Sequence, residues 1–514
     1  MTDRMPPGLA PAWAAHLPPG VAPAAVDLLA RRSLPAAWAA GWRAQPDRPA
    51  VRDPGGAWLT GADLLERTAR VAGRLAAAGL GPGDRVLLSG PPSGDLVVAH
   101  CAALRAGCVV VPVNATYTPR ELGVIVGDAG PRAALLADDG LRDAAAAIDP
   151  GLVVAGPDVA LPDGDPPALD AAGPGDPALL PYTSGTTGTP KGALLSHGNL
   201  LASAEALLLA WRWTADDRLV LCLPLFHMHG LGVGLHGTLL AGAQAVLLSR
   251  FDPDAVLAAC RDATMFFGVP TMYARLADAA DPTPLGGLRL CVSGSAPLAA
   301  DLHARIAART GQAVVERYGM TETVMLVSNP YDGERRPGTV GLPLPGVDVR
   351  LAEGSGEILV RGPNVFAGYW RRPDTAGVTF TADGWFRTGD VATVDPEGYV
   401  RITDRTKDLI KSGGEWISSI DVETMIMGHP KVLEAAVIAV PHPKWVERPL
   451  ACVVPKPGIT LEPREIVEYL RPRLAKWALP DEVVLITAVP KTSVGKFDKK
   501  VLRERFRDWT PKGA

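Results

Sequence analysis

Short apolar runs alternate with longer Ala- and Leu-rich stretches along most of the chain. An apolar run at 84–90 is followed by a helical pattern at 95–107 and by a second apolar run at 108–114. Short apolar strands separated by helices are typical of parallel sheets that are covered on both faces. The pattern, which extends from about Trp38 to Leu290, therefore predicts an α/β fold.

The composition and the apolar pattern of the sequence change along the chain. The tract at 127–177 is rich in Gly, Pro and Asp, which predicts irregular surface connections. Beyond Pro330 the pattern is that of strands with Gly/Asp turns, and beyond Thr406 strand and helix patterns mix. We therefore expect a large N-terminal domain of layered α/β sheets plus a β-barrel-like unit (1–404), a hinge at 405–407, and a small mobile α+β domain at 408–514.

Composition and charge narrow the class of protein. The chain has 514 residues, of which 47% are hydrophobic and 21% charged, with a net charge of −4. This balance gives no reason to expect nucleic acid as a partner, and no apolar run is long enough to predict a membrane span. Six cysteines without CxxC pairing are typical of reduced, buried thiols. We therefore predict a cytoplasmic protein with no membrane partner.

The segment YTSGTTGTPKG at 182–192 carries the most chemical information. It combines glycines, hydroxyl side chains and Lys191. Such a loop can surround phosphate oxygens with N–H and O–H donors while the lysine supplies positive charge. Pro190 stands where a Walker A loop needs its second glycine, so the segment is not of that type. On composition alone, a Ser/Thr/Gly surface linker fits equally well.

The segment resembles the phosphate-loop signature of the adenylate-forming superfamily, which includes acyl-CoA synthetases, luciferases and peptide-synthetase adenylation domains. The resemblance covers roughly 38–505, and further matching segments follow in the expected order: LPLFHMHGL (223–231), VSGSAPL (292–298), ERYGMTET (316–323), GYW (368–370), WFRTGD (385–390), DRTKDLIKSGGEWI (404–417) and PKTSVGK (490–496). It implies an AMP-forming acid–thiol ligase whose substrates and cofactors are ATP, Mg²⁺, CoA and a small carboxylic acid.

By this resemblance, Tyr318 stacks on adenine, Asp390 accepts hydrogen bonds from the ribose hydroxyls, and Glu322 binds Mg²⁺. The expected catalytic residues are Thr321, Glu322, His227 and Lys496. The expected ATP-binding residues are Thr183, Ser184, Gly185, Thr186, Thr187, Gly188, Lys191, Gly294, Ser295, Ala296, Glu316, Arg317, Tyr318, Gly319, Met320, Asp390 and Arg405. Without the resemblance, Asp390 is as well explained as a turn aspartate, and Lys496 as a solvated lysine.

The resemblance also implies a moving C-terminal domain. Lys496 is expected to reach the substrate carboxylate and the α-phosphate during adenylation. Lys407 falls at the hinge position. After the domain turns, a second segment is expected to line the path of the pantetheine arm of CoA, and it consists of Lys411, Ser412, Gly413, Gly414, Glu415 and Trp416.

Within the superfamily, the large domain looks most like malonyl-CoA synthetases. Malonate or methylmalonate needs a cation for its second carboxylate, and an arginine can bind one in a bidentate manner. Arg275 is the candidate for this role, Met228 and Met320 are expected to bound the pocket, and His227 is expected to gate it. The C-terminal stretch looks more like medium-chain fatty acyl-CoA synthetases, so a fatty acid is the alternative substrate.

Other hypotheses remain at this stage. A stand-alone adenylation enzyme would load a carrier protein instead of CoA. Gly232–Gly237 satisfies GxGxxG, but six residues separate its first glycine from the preceding strand, which weakens the prediction of a nucleotide-dependent oxidoreductase. A metal site at His227, His229 and His236 lacks a carboxylate or cysteine ligand. A degenerate, non-enzymatic member would have lost Lys496 or Glu322, and both are present.

Overall fold

The computed structural model describes residues 12–169, 172–183, 190–412, 415–491, 497–507 and 509. The chain divides into two compact units, residues 1–349 with 360–386 and residues 350–359 with 387–514. This division falls at a different place from the predicted domain boundary, and the hinge at 405–407 stays a prediction.

Two large sheets form the framework of the first unit. In order of adjacency, the strands of the nine-stranded sheet are Leu342–Pro343, Val327–Ser328, Val315–Tyr318, Leu290–Ser293, Met265–Gly268, Arg218–Leu221, Gln244–Leu247, Pro49–Arg52 and Trp58–Thr60. The strands of the six-stranded sheet are Leu195–Ser196, Pro177–Leu179, Val109–Pro112, Arg85–Ser89, Ala133–Leu136 and Val153–Ala155. Tyr182–Thr183 and Lys191–Gly192 form a separate two-stranded hairpin.

The helices of the first unit connect these strands. Its α-helices are Leu34–Ala44, Gly61–Ala77, Gly94–Arg105, Pro119–Ala129, Asp139–Ile148, His197–Ala210, His236–Ala241, Pro253–Cys260, Pro270–Ala277, Ala300–Thr310 and Ala376–Thr379. A π-helix spans His229–Leu235, and short 3₁₀ helices span Ala12–His16, Pro23–Ala25, Thr283–Gly287 and Pro373–Thr375.

The second unit contains most of a four-stranded sheet and a five-stranded sheet. The four strands are Asp348–Leu351, Glu357–Arg361, Phe386–Val394 and Val400–Arg405. The five strands are Glu415–Ile417, Ile410–Ser412, Val446–Pro455, Val432–His442 and Glu482–Leu485. The helices are Ser419–Met427, Pro463–Leu470, Lys476–Ala478 (3₁₀) and Lys499–Arg505. The mixed α/β architecture, with a small C-terminal α+β part, confirms the predicted fold class.

The parallel strands form because their residues are buried on both faces. Arg85–Ser89 pairs in parallel with both Val109–Pro112 and Ala133–Leu136, and every residue of these two neighbours is buried. Continuous apolar runs of this kind suit strands that are covered by helices on both sides. The prediction of irregular structure for the tract at 127–177 is therefore wrong in its first part, because Ala133–Leu136, Asp139–Ile148 and Val153–Ala155 are regular elements.

Among the described residues, no helix is long and apolar enough to cross a membrane.

Asp217 organises the amino-terminal edge of the large sheet. This residue is 3% exposed, and its carboxylate accepts hydrogen bonds from Nε and Nη2 of Arg289, each at 2.5 Å. Thr264 Oγ1 and the Thr214 backbone N–H donate to the same carboxylate at 2.8 Å. Burial raises the pKa of Asp217, but the hydrogen bonds from Arg289, Thr214 and Thr264 outweigh it, so the pKa lies below its usual value. The carboxylate is therefore ionised in the folded protein.

We predict that Asp217→Ala lowers the free energy of unfolding by about 3 kcal/mol, because it leaves the half-buried guanidinium of Arg289 without its partner. Urea unfolding measures the change. Asp216→Ala is the matched control, since the Asp216 side chain is 95% exposed beside Arg48 and its surface ion pair contributes at most about 1 kcal/mol. Equal effects of the two substitutions would contradict a structural role for the buried pair.

Candidate active site

The phosphate-loop segment begins and ends in a hairpin. Thr183 pairs with Lys191, and Tyr182 pairs with Gly192, in antiparallel register. The hairpin brings the two ends of the loop together, so Thr183 and Lys191 lie side by side. The predicted phosphate contacts Ser184, Gly185, Thr186, Thr187 and Gly188 lie outside the described residues.

The base of this hairpin is fixed to the rest of the first unit. The Tyr182 hydroxyl donates to Asp128 Oδ2 at 2.7 Å, and Arg372 Nη2 donates to Asp128 Oδ1 at 2.6 Å. On the other strand, the Trp370 backbone N–H donates to the Gly192 carbonyl at 2.8 Å. Burial, and then the hydrogen bond to Asp128, raise the pKa of Tyr182, so its hydroxyl remains a donor.

Tyr369 connects the hairpin with Glu322. Its hydroxyl donates to Glu322 Oε1 at 2.8 Å, and the Nζ atom of Lys191 lies 5.4 Å from the centre of its ring. The Glu322 side chain is 5% exposed. Burial and the neighbouring Glu322 carboxylate raise the pKa of Tyr369, so the phenol stays protonated and donates to the carboxylate. One tyrosine thus joins a lysine and a carboxylate that lie far apart in the sequence.

The carboxyl ends of two parallel strands carry most of the other predicted nucleotide contacts. Ser293 of Leu290–Ser293 pairs with Glu316 of Val315–Tyr318, so the residues that follow each strand emerge at one edge of the sheet. Ligands of open α/β sheets bind at such an edge. The structure thus brings Gly294, Ser295 and Ala296 to the same edge as Tyr318, Gly319, Met320 and Thr321.

The segment that follows Ser293 has a constrained backbone. A Cβ atom at Gly294 would lie 2.3 Å from Cζ of Arg317, so this position excludes any larger residue without movement of the arginine. Ser295 has φ of +70°, a left-handed conformation that is uncommon outside glycine. The Glu316 carboxyl fixes the end of the segment by accepting a 2.9 Å hydrogen bond from the Leu298 backbone N–H. Glu316 therefore contributes by holding the loop, a contact that the sequence did not predict.

Glu316 and Arg317 are both buried. The Glu316 side chain is 5% exposed, and burial raises its pKa to about 8 despite the hydrogen bond from Leu298. The Arg317 side chain is 4% exposed, and burial lowers its pKa to about 9. At neutral pH Glu316 is therefore largely protonated, while Arg317 keeps its positive charge.

The predicted acyl-pocket residues lie in three different environments. His227 is half-buried, and its Nδ1 accepts a hydrogen bond from the His229 backbone N–H at 3.3 Å. Met228 is buried, and Met320 is half-buried with its sulfur 4.0 Å from the Tyr318 hydroxyl. Arg275, in contrast, is exposed at the end of its helix, with its guanidinium 4.9 Å from the centre of the Phe251 ring. The acyl-binding role of Arg275 stays a prediction.

In the second unit, Asp390 and Arg405 face each other. They are paired residues of adjacent antiparallel strands, and Arg405 Nε lies 3.2 Å from Asp390 Oδ1. Asp390 is 6% exposed, so it has a defined place within the sheet and is not a solvated turn residue. Burial, the strongest of several influences, lowers the pKa of Lys407, the predicted hinge lysine.

The predicted CoA segment forms a second hairpin. Lys411 pairs with Trp416 and Ser412 pairs with Glu415, while Gly413 and Gly414 between them lie outside the described residues. The Trp416 side chain is 53% exposed, and Lys411 Nζ lies 5.6 Å from the centre of its ring. The hairpin therefore presents an aromatic face next to a positive charge.

Lys496 also lies outside the described residues. Three positions further along the chain, Lys499 belongs to a buried network of polar side chains. Lys499 Nζ lies 2.7 Å from Glu423 Oε1 and donates to Ser419 Oγ at 2.6 Å. Ser419 Oγ in turn donates to Asp404 at 2.8 Å. The helix after the predicted catalytic lysine is thus tied to the strand that precedes the predicted hinge.

Sequence reasoning missed Tyr369 and Asp128. The GYW segment at 368–370 was matched to the superfamily as a motif, but the sequence assigned no role to its tyrosine. The sequence offered one indication of a role for Tyr369: it is an aromatic residue that directly follows a motif glycine, Gly368, to which no role was given. Asp128 lies in a tract that was predicted to be irregular, and its pairing with Tyr182 and Arg372 spans distances that no local pattern reveals.

The GxGxxG segment does not form a dinucleotide-binding turn. Its first four positions lie within the π-helix His229–Leu235, and the last two begin the helix His236–Ala241. The glycines provide space for packing, since a Cβ atom at Gly237 would lie 2.5 Å from the Trp213 ring. His236 Nε2 lies 2.9 Å from His100 Nε2 and His229 stacks on Phe267, so the neighbouring histidines have separate packing partners.

Two family models match most of the chain. The model of the family described as AMP-binding enzyme matches residues 38–370, and that of the AMP-binding enzyme C-terminal domain matches residues 421–496. A feruloyl-CoA synthase from Amycolatopsis sp is 41% identical over 483 residues, which cover 90% of this chain and 97% of that protein.

Solved structures show the same similarity. The crystal structure of ATP-bound MatB from Rhodopseudomonas palustris is 41% identical, with a TM-score of 0.87 and coverage of 92% of this chain and 99% of that one. A malonyl-CoA ligase in a ternary product complex with methylmalonyl-CoA and AMP is 45% identical, with a TM-score of 0.64 and coverage of 87% and 97%. The chain belongs to the AMP-binding enzyme family, as an AMP-forming acid–CoA ligase.

Proposed function

We propose that the chain converts malonate or methylmalonate into its CoA thioester through an enzyme-bound acyl adenylate. The observation that carries this proposal is the 45% identity, over 87% of this chain, with the malonyl-CoA ligase whose complex contains methylmalonyl-CoA and AMP. The segments at 267–276, 290–311 and 316–347, which resemble malonyl-CoA synthetases, point the same way. The reaction consumes ATP and releases pyrophosphate and AMP.

A bulkier monocarboxylic acid is the second candidate. It is supported by the 41% identity with a feruloyl-CoA synthase and by the C-terminal segments that resemble medium-chain enzymes. The names of the feruloyl-CoA synthase and the malonyl-CoA ligase describe enzymes that form CoA thioesters, so we propose CoA as the thiol acceptor. A carrier protein as acceptor gains no support from these relatives.

In the first half-reaction, a carboxylate oxygen of the acid attacks the α-phosphorus of ATP. The bond to the bridging oxygen breaks, and pyrophosphate leaves. In the second, the sulfur of CoA attacks the acyl carbon, AMP leaves, and the thiol proton passes to solvent. The acid is already ionised at neutral pH, so the enzyme must mainly align the reactants and neutralise phosphate charge.

The described residues suit this task. Lys191 and Thr321 contact the phosphates, while Glu322 would provide a hard oxygen ligand of the kind that Mg²⁺ prefers. The hydrogen bond from Tyr369 fixes one oxygen of Glu322, which fits a carboxylate that is preorganised for a cation. When bound, Mg²⁺ supplies positive charge to the phosphates.

The other roles follow the resemblance. Tyr318 with Gly294–Ala296 binds adenine, and Asp390 with Arg405 contacts the ribose. Lys496 reaches the α-phosphate during adenylation, whereas the hairpin of Lys411–Trp416 serves CoA after the domain rotates about Lys407.

We predict that Lys496→Ala abolishes pyrophosphate release with malonate but leaves thioester formation from supplied malonyl adenylate much less affected. The reason is that the lysine stabilises charge that develops only in the adenylation step. Pyrophosphate release and thioester formation are measured separately. Lys500→Ala, which removes a lysine on the exposed face of the next helix, is the control. An equal loss in both half-reactions would show that the role of Lys496 is misassigned.

We predict that Tyr369→Phe lowers kcat/KM for ATP by roughly tenfold or more, because it removes a hydrogen bond to a buried carboxylate that contributes about 1.5–3 kcal/mol. Initial rates at varied ATP and Mg²⁺ measure the effect. Tyr469→Phe in the second unit, where the ring packs on His429, is the matched control. Unchanged ATP kinetics in the Tyr369 variant would contradict the proposed link between the hairpin and Glu322.

We predict that Arg275→Ala raises the KM for malonate and shifts preference towards monocarboxylates, because it removes the cation proposed for the second carboxylate. Pyrophosphate release with malonate, methylmalonate, acetate, octanoate and benzoate gives the substrate profile. Arg305→Ala, an exposed arginine on a neighbouring helix, is the control. An unchanged malonate profile would remove Arg275 from the acyl site.

A further inference from the structure

Lys499 is a buried cation of the second unit, and its ammonium group has two side-chain partners. The side chains of Lys499 and Glu423 are 10% and 7% exposed, and Nζ lies 2.7 Å from Glu423 Oε1. Nζ also donates a hydrogen bond to Ser419 Oγ at 2.6 Å. A charge at this depth costs stability unless such partners are present, so the place of the ammonium group is closely defined.

The Ser419 hydroxyl extends this contact to Asp404. It accepts the hydrogen bond from Lys499 and donates one to Asp404 Oδ2 at 2.8 Å. The Ser419 backbone N–H donates to the same oxygen. Asp404 is fully buried, and its other oxygen, Oδ1, accepts a hydrogen bond from the Arg405 backbone N–H at 2.7 Å. Lys499, Ser419 and Asp404 thus form a continuous chain of contacts, which we call the relay.

Lys499 holds the charge of two buried acids. Burial raises the pKa of Asp404, and it raises the pKa of Glu423 to about 7, although Lys499 acts against both shifts. Without the ammonium group, burial would favour the protonated form of each carboxyl. The hydrogen bonds of the relay would then lose the charge that strengthens them.

At one end, the relay reaches the base of the segment that carries Lys496. Lys491 and Phe497 form an antiparallel bridge, and Phe497 packs against an apolar cluster of the second unit. The segment between them, 492–496, lies outside the described residues. Because Lys499 follows the bridge by only two positions, its contacts fix the base from which this segment extends.

At the other end, the relay reaches the proposed ribose contacts. Arg405 directly follows Asp404, and Arg405 Nε lies 3.2 Å from Asp390 Oδ1 across two paired strands. The relay therefore joins the base of the Lys496 segment to the strand pair that is proposed to bind the nucleotide. This connection suits the adenylation step, in which Lys496 and the nucleotide must meet.

The relay also crosses the predicted hinge at 405–407. Asp404 precedes the hinge, whereas the two donor side chains follow it. A rotation about Lys407 separates them, so the relay can be closed in only one of the two orientations. The ion pair of Arg503 with Asp408 connects the same helix to a residue beyond the hinge, and the rotation leaves that pair intact.

We infer that Lys499 is a positioning residue for adenylation: through Ser419 and Asp404 it holds the Lys496 segment towards the nucleotide, and the relay opens when the unit turns for thioester formation. The inference rests on the proposed function for the rotation, but not for the identity of the acid. Loss of the relay removes stabilisation from the adenylating orientation alone, so the population moves towards the other orientation.

The test measures the two half-reactions separately in the full-length enzyme. Ser419→Ala removes the relay hydroxyl and leaves the ion pair of Lys499 with Glu423 in place. Single-turnover pyrophosphate release without CoA reports adenylation, and thioester formation from the supplied acyl adenylate reports the second step. We expect pyrophosphate release to slow by about tenfold, as loss of a hydrogen bond to a charged group implies, while thioester formation keeps its rate.

Substitutions of the lysine give a second reading. Lys499→Met removes both contacts of the ammonium group, so we expect a larger fall in pyrophosphate release, about 100-fold. Lys499→Arg keeps a charged donor and should restore part of the rate. Arg503→Met is the matched control, because it breaks an ion pair of the same helix that does not cross the hinge, and we expect it to leave the ratio of the two rates unchanged. Thermal unfolding of each variant measures the loss of stability.

Three results would overturn the inference. Equal slowing of both half-reactions in the Ser419 and Lys499 variants would mean a general structural role. Slower thioester formation with unchanged pyrophosphate release would mean that the relay closes in the other orientation. A change of ratio in Arg503→Met as large as that in Lys499→Met would mean that crossing the hinge is irrelevant.

The choice of acid separates this inference from the proposed substrate. The half-reactions are compared with whichever of malonate, methylmalonate, acetate, octanoate and benzoate the unmodified enzyme uses best. Preference for a monocarboxylic acid would reject the proposed substrate, while the ratio of the two rates in the variants still decides the role of Lys499.

Discussion

The candidate site of the first unit depends on the hydrogen bond from the Tyr369 hydroxyl to the buried Glu322 carboxylate. A carboxylate that is 5% exposed needs donors to remain ionised, and Tyr369 is one of them. Because the same ring lies beside Lys191, the contact sets the distance between the cation at the end of the phosphate loop and the carboxylate proposed for Mg²⁺. The Trp370 contact with Gly192 and the Tyr182 contact with Asp128 hold this arrangement from both strands of the hairpin.

The parallel sheet supplies the second half of the arrangement. Adjacent carboxyl ends place the segment after Ser293 beside the segment after Tyr318, and glycine at 294 leaves room for Arg317. Glu316 fixes the first segment through Leu298, while burial keeps its carboxyl largely protonated at neutral pH. Of these two neighbouring residues, Arg317 therefore carries the charge at neutral pH.

The sequence predicted the α/β class, the family and the ordered motifs because these depend on local patterns. The runs at 84–90 and 108–114 became buried parallel strands, as apolar continuity requires. Local patterns could not reveal contacts such as Tyr369 with Glu322, which join residues 47 positions apart. The tract at 127–177 was predicted to be irregular because it is rich in Gly and Pro. It nevertheless contains the short, fully buried strand Ala133–Leu136. The glycines of 232–237 had been judged a weak prediction of a dinucleotide-binding turn. In the structure they allow close packing within helices.

The central claim is that a carboxylate oxygen of the acid forms a bond with the α-phosphorus of ATP. Turnover with malonate labelled with ¹⁸O in its carboxylates, followed by mass spectrometry of the nucleotide and phosphate products, tests this most directly. The account predicts one labelled oxygen in AMP for each thioester formed and none in pyrophosphate. Label in inorganic phosphate with formation of ADP, or unlabelled AMP, would contradict it.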